Sequence, residues 1–368
     1  MAKDDSCLSG QGKLFEVLGQ QFGSEGKGAI VTYLAPVMSL GVRTGAGNAG
    51  HTGYFREKKF VMRQIPSVWV NPLAKLVIGI GAMISLPLLF EEIAEIERYL
   101  PIRQRLYIDS RAHVIQEEHI QREQEGDLAE RIGSCSATAR EGIGTATAAK
   151  VLREESCVLA RDTIPLRPYC VDTVDMINTE LDEGQYVLLE GTQGFGLSLD
   201  HGYFPFVTSR DTSAAALAAS VGVNPSAFNT EIIGVVRTYP IRVAGQSGNF
   251  DLDSTELTWK DVARRAGAKC SIVERTSVTK KVRRVATFSF EGFQRACQVN
   301  RPTELAVTFG DYLDWSVHEK HRITEPIGEF LDRLEMIADA PVTLLKTGPK
   351  TTIDFSWYRQ SMLRKLAA

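Results

Sequence analysis

What this chain lacks removes several classes of function at once. It has no C-x-x-C pair, and its six cysteines (Cys7, Cys135, Cys157, Cys170, Cys270, Cys297) are scattered with no histidine at ligand spacing. That pattern argues against a zinc site and for reduced thiols in a cytoplasm. No apolar run reaches the roughly 18 to 20 residues that a membrane span needs. The polar start, Met1 to Lys13, has no signal-peptide core and reads as a flexible leader. Charge of one sign is not in excess: a net value of −3 offers no general attraction to nucleic acid or to an anionic membrane, so neither is an expected partner. There is also no internal repeat, no low-complexity linker and no composition shift that would mark a domain boundary.

What remains is 368 residues with 43% hydrophobic content, enough to bury a large core. Residues 14–368 read as a single catalytic domain. Strand-like runs alternate with helix-like ones throughout. The strands are expected near Val77–Gly81, Arg105–Asp109, Tyr186–Leu189, Glu231–Val236, Leu305–Thr308 and Val342–Leu345. Helices are expected near Leu86–Leu100, with Ser85 as N-cap and Pro87 in the first turn, and near Gln116–Arg131, Asp172–Leu181 and Ser213–Ser220. The polar helix from Gln116 reads as a solvated surface element. Alternation of this kind predicts an α/β fold, a P-loop-type arrangement of a mostly parallel central β-sheet flanked by helices.

The stretch Leu14–Thr52 organises the rest. Leu14 to Leu18 is an apolar strand that runs into Gly19-Gln20-Gln21-Phe22-Gly23-Ser24-Glu25-Gly26-Lys27-Gly28, and Ala29 to Leu34 has the spacing of a helix start. A strand ending in a glycine turn that opens a helix aims backbone N–H groups and the helix dipole at one point, which makes a phosphate cradle. Lys27 stands where a P-loop lysine reaches the outer phosphates, but the hydroxyl residue that should follow and hold magnesium is Gly28. A second glycine-rich loop follows, Gly45-Ala46-Gly47-Asn48-Ala49-Gly50-His51-Thr52.

Together the two loops closely resemble adenylosuccinate synthetase, whose members carry N-A-G-H-T and G-D-E-G-K-G. The second matches Gly23 to Gly28 with the family's aspartate replaced by Ser24. The resemblance covers nearly the whole chain. Thr138-Ala139-Arg140-Glu141-Gly142-Ile143-Gly144 is similar to T-G-R-G-I-G with one residue inserted, Glu190-Gly191-Thr192-Gln193-Gly194 to E-G-A-Q-G, and Asp200 to Ser209 to D-H-G-T-Y-P-Y-V-T-S. Thr276 to Arg284 aligns with the aspartate-binding loop T-T-G-R-R-R-R.

By that resemblance the catalytic residues are Ser24, Lys27, His51 and Gln193. The nucleoside triphosphate is held by Gly23, Glu25, Gly26, Lys27, Gly28, Gly50, His51, Thr52, Asp311, Gly348 and Pro349. Ser24, Asn48, Thr138, Gln193 and Thr208 take the purine monophosphate, with Arg153 reaching across a homodimer to the same phosphate. L-Aspartate falls to Thr276, Ser277, Val278, Thr279, Lys281 and Arg283, of which Arg283 supplies the paired donors a dicarboxylate needs. The metal is Mg²⁺, with Gly50 and Ser24 as ligands. Asp311 is kept at the guanine-recognising position, yet the family's flanking lysine is Phe309, a ring that can stack on any purine, and its serine is Lys346. These departures point to ATP or dATP as donor. The family's aspartate removes the N1 proton of a 6-oxopurine, and a serine hydroxyl cannot do so alone. Serine does leave room for the 2-amino group of guanine, as in the phage branch of the family that also carries serine here. The expected reaction is therefore ligation of L-aspartate to C6 of dGMP, giving 2-amino-2′-deoxy-N6-succinyladenylate for diaminopurine DNA. The alternative is the conventional reaction of IMP, aspartate and GTP.

Overall fold

The computed structural model describes residues 12–127, 141–276 and 280–356. Ten strands form one path through a 12-stranded sheet. In chain order they are β1 (Lys13–Gly19), β2 (Leu40–Gly45), β3 (Lys75–Ile84), β4 (Leu106–Asp109), β5 (Cys170–Val171), β6 (Tyr186–Glu190), β7 (Asn229–Arg237), β8 (Glu304–Thr308), β9 (Val342–Lys346) and β10 (Thr352–Asp354). Across the sheet the order is β10-β9-β8-β7-β1-β6-β2-β3-β4-β5, and every pair along it is parallel except β9 with β10. The α/β architecture read from the sequence is the one observed.

β1 sits mid-sheet, with Lys13 paired to Tyr186 on one side and Asn229 on the other. Lys13 thus belongs to the fold rather than to a leader, and the Gly12 N–H also bonds to the Leu181 carbonyl at 3.0 Å. Successive residues of a strand point to opposite faces, and from Leu14 on both faces of β1 are buried and, apart from Glu16, apolar. Leu14 and Leu18 join Val42, Val77, Ile177 and Leu217 in one core, while Phe15 and Val17 join Ile30, Ile78 and Leu89 in the other. A strand buried on both faces reads as a continuous apolar run, which is why this one was visible in the sequence.

Among the described residues the α-helices are α1 (Lys27–Leu34), α2 (Leu86–Ile96), α3 (Glu117–Glu125), α4 (Ile143–Leu152), α5 (Thr173–Asp182), α6 (Ala214–Ala219), α7 (Trp259–Arg265), α8 (Phe290–Asn300) and α9 (Glu325–Ala338). Two expectations need correction. Ser85 occupies the N-cap position of α2, but its hydroxyl makes no capping bond; its backbone is held instead by both ends of the Gln64 amide. The polar helix α3 is not merely solvated. Its Glu123 is buried and accepts from the Gly142 N–H at 2.7 Å and the Gly144 N–H at 3.0 Å, satisfying donors that the start of α4 leaves open.

A small antiparallel sheet of Ile241–Arg242, Arg284–Ala286 and Glu256–Leu257 lies beyond β7 and carries the basic segment. Among the described residues, Cys157, Cys170, Cys270 and Cys297 are free thiols, and no helix is long and apolar enough to cross a membrane.

Candidate active site

The loop leaving β1 bends through left-handed backbone at Gly23 (φ 82°), Ser24 (φ 58°) and Gly26 (φ 91°). Glycine enters that region freely. A serine held there stores strain that its surroundings must fix. Glu25 is the internal anchor, fully buried, with Oε1 accepting from the Gly23 N–H at 2.7 Å and the Gln21 N–H at 3.2 Å. Its Oε2 accepts from Lys27 Nζ at 2.7 Å, and Lys27 also donates to the Gln193 carbonyl. The Glu25 side chain is therefore used inside the loop, and Lys27 must exchange these partners to meet a phosphate.

Gly28 has a steric explanation. A Cβ there would stand 2.8 Å from the His51 Cβ and 2.9 Å from the Thr52 nitrogen. α1 begins hard against the hairpin of His51–Phe55 and Lys58–Met62, so the hydroxyl residue of an ordinary P-loop has no room.

The same hairpin delivers His51, which is buried and hydrogen-bonded through Nδ1 to Glu190 at the end of β6. Glu190 also accepts from the Ser67 N–H and hydroxyl, each at 2.6 Å, and from Arg43 at 3.2 Å. Burial alone would raise this carboxyl, but Arg43, His51 and Ser67 outweigh it and hold it down at about 2. Burial, reinforced by the Arg43 charge, lowers His51 to about 4 despite Glu190. At neutral pH His51 is uncharged, its Nδ1–H donates to the carboxylate, and Nε2 is left to meet a ligand.

Ser24 is gripped by two arginines. Arg283 donates to its Oγ at 2.9 Å, and Arg237 donates to its carbonyl at 3.0 Å. Arg237 is fully buried and paired with Glu274. Gln193, itself at φ 56°, donates from Nε2 to Asn48 Oδ1 at 3.0 Å, so two residues assigned to the purine are joined. Thr208 is fixed by its N–H bond to the Leu197 carbonyl at 2.8 Å. Thr276 and Lys281 close the base of the basic loop: the Thr276 N–H bonds to the Lys281 carbonyl at 2.9 Å, and the Lys281 N–H to Thr276 Oγ1 at 3.1 Å. Thr138, Ser277, Val278 and Thr279 lie outside the described residues. Arg153 ends α4 at φ 59° and is exposed beside two exposed apolar residues, Val151 and Leu152.

On the other side of the loop, Thr308 Oγ1 donates to the Glu25 carbonyl at 2.6 Å, tying β8 to the phosphate cradle. Asp311 follows, 2% exposed, and burial pushes its carboxyl up to about 6 even though His318 Nδ1 bonds to Oδ2 at 2.6 Å. Lys346 is buried too, lowered by that burial to about 8, and donates to Thr352 Oγ1 at 3.0 Å. Segments 315–320 and 346–351 are latched by Glu319 N–H to the Thr347 carbonyl at 2.9 Å and by Lys350 N–H to Glu319 Oε1 at 3.1 Å. At Gly348 a Cβ would lie 2.6 Å from the Glu319 carboxyl and would have to displace that side chain from the latch; Pro349 follows it. The Arg237 guanidinium lies 4.1 Å above the Phe309 ring, so one face of the expected stacking ring is already covered.

A family model for adenylosuccinate synthetase matches residues 16–162 and 159–320 of this chain. The adenylosuccinate synthetase of Pyrococcus horikoshii is 37% identical over 341 residues, covering 91% of this chain and 95% of that protein. That of Methanocaldococcus jannaschii is 36% identical over 347 residues, covering 92% and 95%. The chain belongs to the adenylosuccinate synthetase family. Among solved structures, the succinoaminodeoxyadenylate synthetase of cyanophage S-2L, bound to dGMP and dATP as an energy donor, is similar with a TM-score of 0.78 and 29% identity over 94% of this chain and 95% of that one. The fully ligated adenylosuccinate synthetase of Plasmodium falciparum shares the fold, with a TM-score of 0.79 at 22% identity over 94% and 100%.

As a member of the adenylosuccinate synthetase family, this chain is a ligase of the type that forms a C–N bond between aspartate and a purine nucleotide. Sequence reasoning missed Glu190, Arg43, Arg237 and His318. Glu190 stands only three residues before Gln193, but its partner His51 is 139 positions away, and nothing in the local pattern reports that contact.

Proposed function

We propose that this chain joins L-aspartate to C6 of dGMP with hydrolysis of ATP or dATP, giving 2-amino-2′-deoxy-N6-succinyladenylate. The observation that carries the reading is the Arg283–Ser24 contact at 2.9 Å. Where the family motif that the sequence resembles calls for an aspartate, this loop has a neutral hydroxyl backed by a guanidinium. A carboxylate there would hold the N1–H and 2-amino groups of guanine in the ground state, while a hydroxyl leaves space for the amine. Arg283 also puts positive charge close to where O6 becomes negative. The cyanophage enzyme, whose structure holds dGMP and dATP, supports the same direction.

In this reading the γ-phosphoryl group passes to O6, and the amine of aspartate then displaces phosphate at C6. Lys27 leaves Glu25 for the phosphates. His51, neutral in the free protein, gains a proton at Nε2 as phosphate charge arrives and donates a hydrogen bond to it, with Glu190 holding Nδ1. Ser24 takes no proton, so the N1 proton leaves to water or to a phosphate oxygen. Arg283, Lys281 and the loop of Thr276 to Thr279 receive the aspartate. Arg153, on an exposed and partly apolar end of α4, serves the neighbouring protomer of a homodimer, and Thr138 and Thr208 hold the 5′-phosphate.

Magnesium would supply charge neutralisation of the phosphates. Magnesium at a nucleotide site is usually held through substrate phosphates and one or two protein groups. The exposed Gly50 carbonyl fits that role. Ser24 does not, because a guanidinium on its Oγ repels a divalent cation.

Incubation with aspartate, Mg-ATP or Mg-dATP and either dGMP or IMP, read by product mass, tests the assignment. Turnover of dGMP is expected; turnover of IMP alone overturns it. Ser24→Asp should move preference from dGMP toward IMP. The conventional reaction of IMP with GTP is the second reading, favoured by the names of the archaeal relatives, and the same assay separates the two.

A further inference from the structure

Asp311 is a carboxylate with one oxygen engaged and one not. It lies just past β8 in the wall that also carries Lys346 and the latched 346–351 segment, and it is 2% exposed. Oδ2 accepts from His318 Nδ1 at 2.6 Å. Oδ1 is buried and accepts no hydrogen bond from another described residue; the nearest donor to the carboxyl besides His318 is the backbone N–H of Asp311 itself. A buried acceptor left unpaired is costly, so the group is short of one donor. His318 is held in place: its ring stacks on Trp315 with centroids 4.1 Å apart and 10° between planes, and its N–H bonds to the Trp315 carbonyl at 3.1 Å. The Lys346 ammonium is committed to Thr352.

The two purines differ in what they bring to such a carboxylate. Adenine offers one donor, its 6-amino group, beside the acceptor N1. Guanine offers two adjacent donors, N1–H and the 2-amino group, which call for both carboxylate oxygens. We propose that His318, by donating to Oδ2 of Asp311, leaves this carboxylate better matched to a base with one donor than to a base with two, so that the site favours a triphosphate bearing adenine over one bearing guanine, the adenine amine donating to Oδ1. A guanine in the same place would have to share Oδ2 with His318, two donors competing for one oxygen, which lowers affinity by roughly tenfold. The proposal rests on Asp311 facing the base of the phosphate donor.

The test is kcat/KM for ATP, dATP and GTP at saturating dGMP and aspartate, with IMP as acceptor should dGMP not turn over. It is run on the unmodified protein and on His318→Phe, which keeps a ring against Trp315 and has no N–H. The unmodified protein should prefer ATP or dATP to GTP by about tenfold or more, and His318→Phe should raise GTP relative to ATP by about tenfold. An unchanged ratio in His318→Phe, or a preference of the unmodified protein for GTP, overturns the proposal. Asp311→Ala separates the two levels of the argument. If it weakens neither triphosphate, Asp311 does not face the base and the proposal falls with that reading. If it weakens both while His318→Phe leaves the ratio alone, the base site stands and only the role of His318 falls. Displacement of a fluorescent ATP analogue by the same triphosphates reads the ratio in any variant that binds without turnover.

Discussion

Two histidine–carboxylate pairs flank the phosphate loop, and they are built to opposite ends. Glu190 receives hydrogen bonds from His51, Arg43 and both polar groups of Ser67, and it is held at about 2. Asp311 receives one from His318 and otherwise has only its own backbone N–H nearby, and it is pushed up to about 6. Both carboxyls are buried, so burial is not what distinguishes them. The Arg43 charge beside Glu190, together with its larger number of donors, is. Where the donors are complete the carboxylate serves to fix its histidine; where one is lacking the carboxylate is prepared for a ligand.

The harshest way to break the contrast is Glu190→Gln. It removes the charge between Arg43 and His51, and losing one partner of a buried pair costs about 3–5 kcal/mol, readable by urea unfolding at pH 7. Glu190 lies below its ordinary value, so its contribution is complete above about pH 4.5 and fades as pH falls toward 2. The difference between variant and parent should shrink accordingly in acid. A loss under about 1 kcal/mol at pH 7 would mean that Arg43 is compensated elsewhere. His51→Ala comes next: kcat should drop by roughly 10²- to 10⁴-fold, the range for a positioned proton donor, with much less change in unfolding. Near-normal turnover would remove His51 from the chemistry and leave Glu190 a purely structural group.

The parts of the molecule legible in the sequence are those with local signatures. β1 was visible because from Leu14 on both its faces are buried and carry apolar residues everywhere but Glu16, and the cradle because glycines cluster where the backbone turns left-handed at Gly23 and Gly26. Gly28 was seen as a departure, but its cause, the His51 backbone packed against α1, comes from another element. Likewise α3 reads as polar along its length, and only the fold shows Glu123 turned onto the start of α4. Ser24 was picked out by comparison with a motif, while its contact with Arg283 spans 259 positions that no periodicity connects. Charges that act across the sheet are set by topology, and their partners become visible only once strands are in order.

The finest test of the contrast is Asp311→Asn, because it should act with the sign opposite to Glu190→Gln. Asp311 lies above its ordinary value of 3.8, so the folded state holds its proton more tightly than the unfolded chain does. Its penalty is absent below about pH 4, grows as pH rises through 6 and is complete above that. A shift of about two units corresponds to roughly 3 kcal/mol, and asparagine, which keeps an acceptor for His318 but never ionises, should recover part of it. Asp311→Asn is therefore expected to be more stable than the parent by about 1–2 kcal/mol at pH 8 and indistinguishable from it at pH 4, while binding ATP less tightly. Denaturant unfolding at the two pH values decides it. A variant that is less stable at pH 8 would mean that Oδ1 is already satisfied in the free protein, and the distinction between a finished carboxylate and a waiting one would be lost.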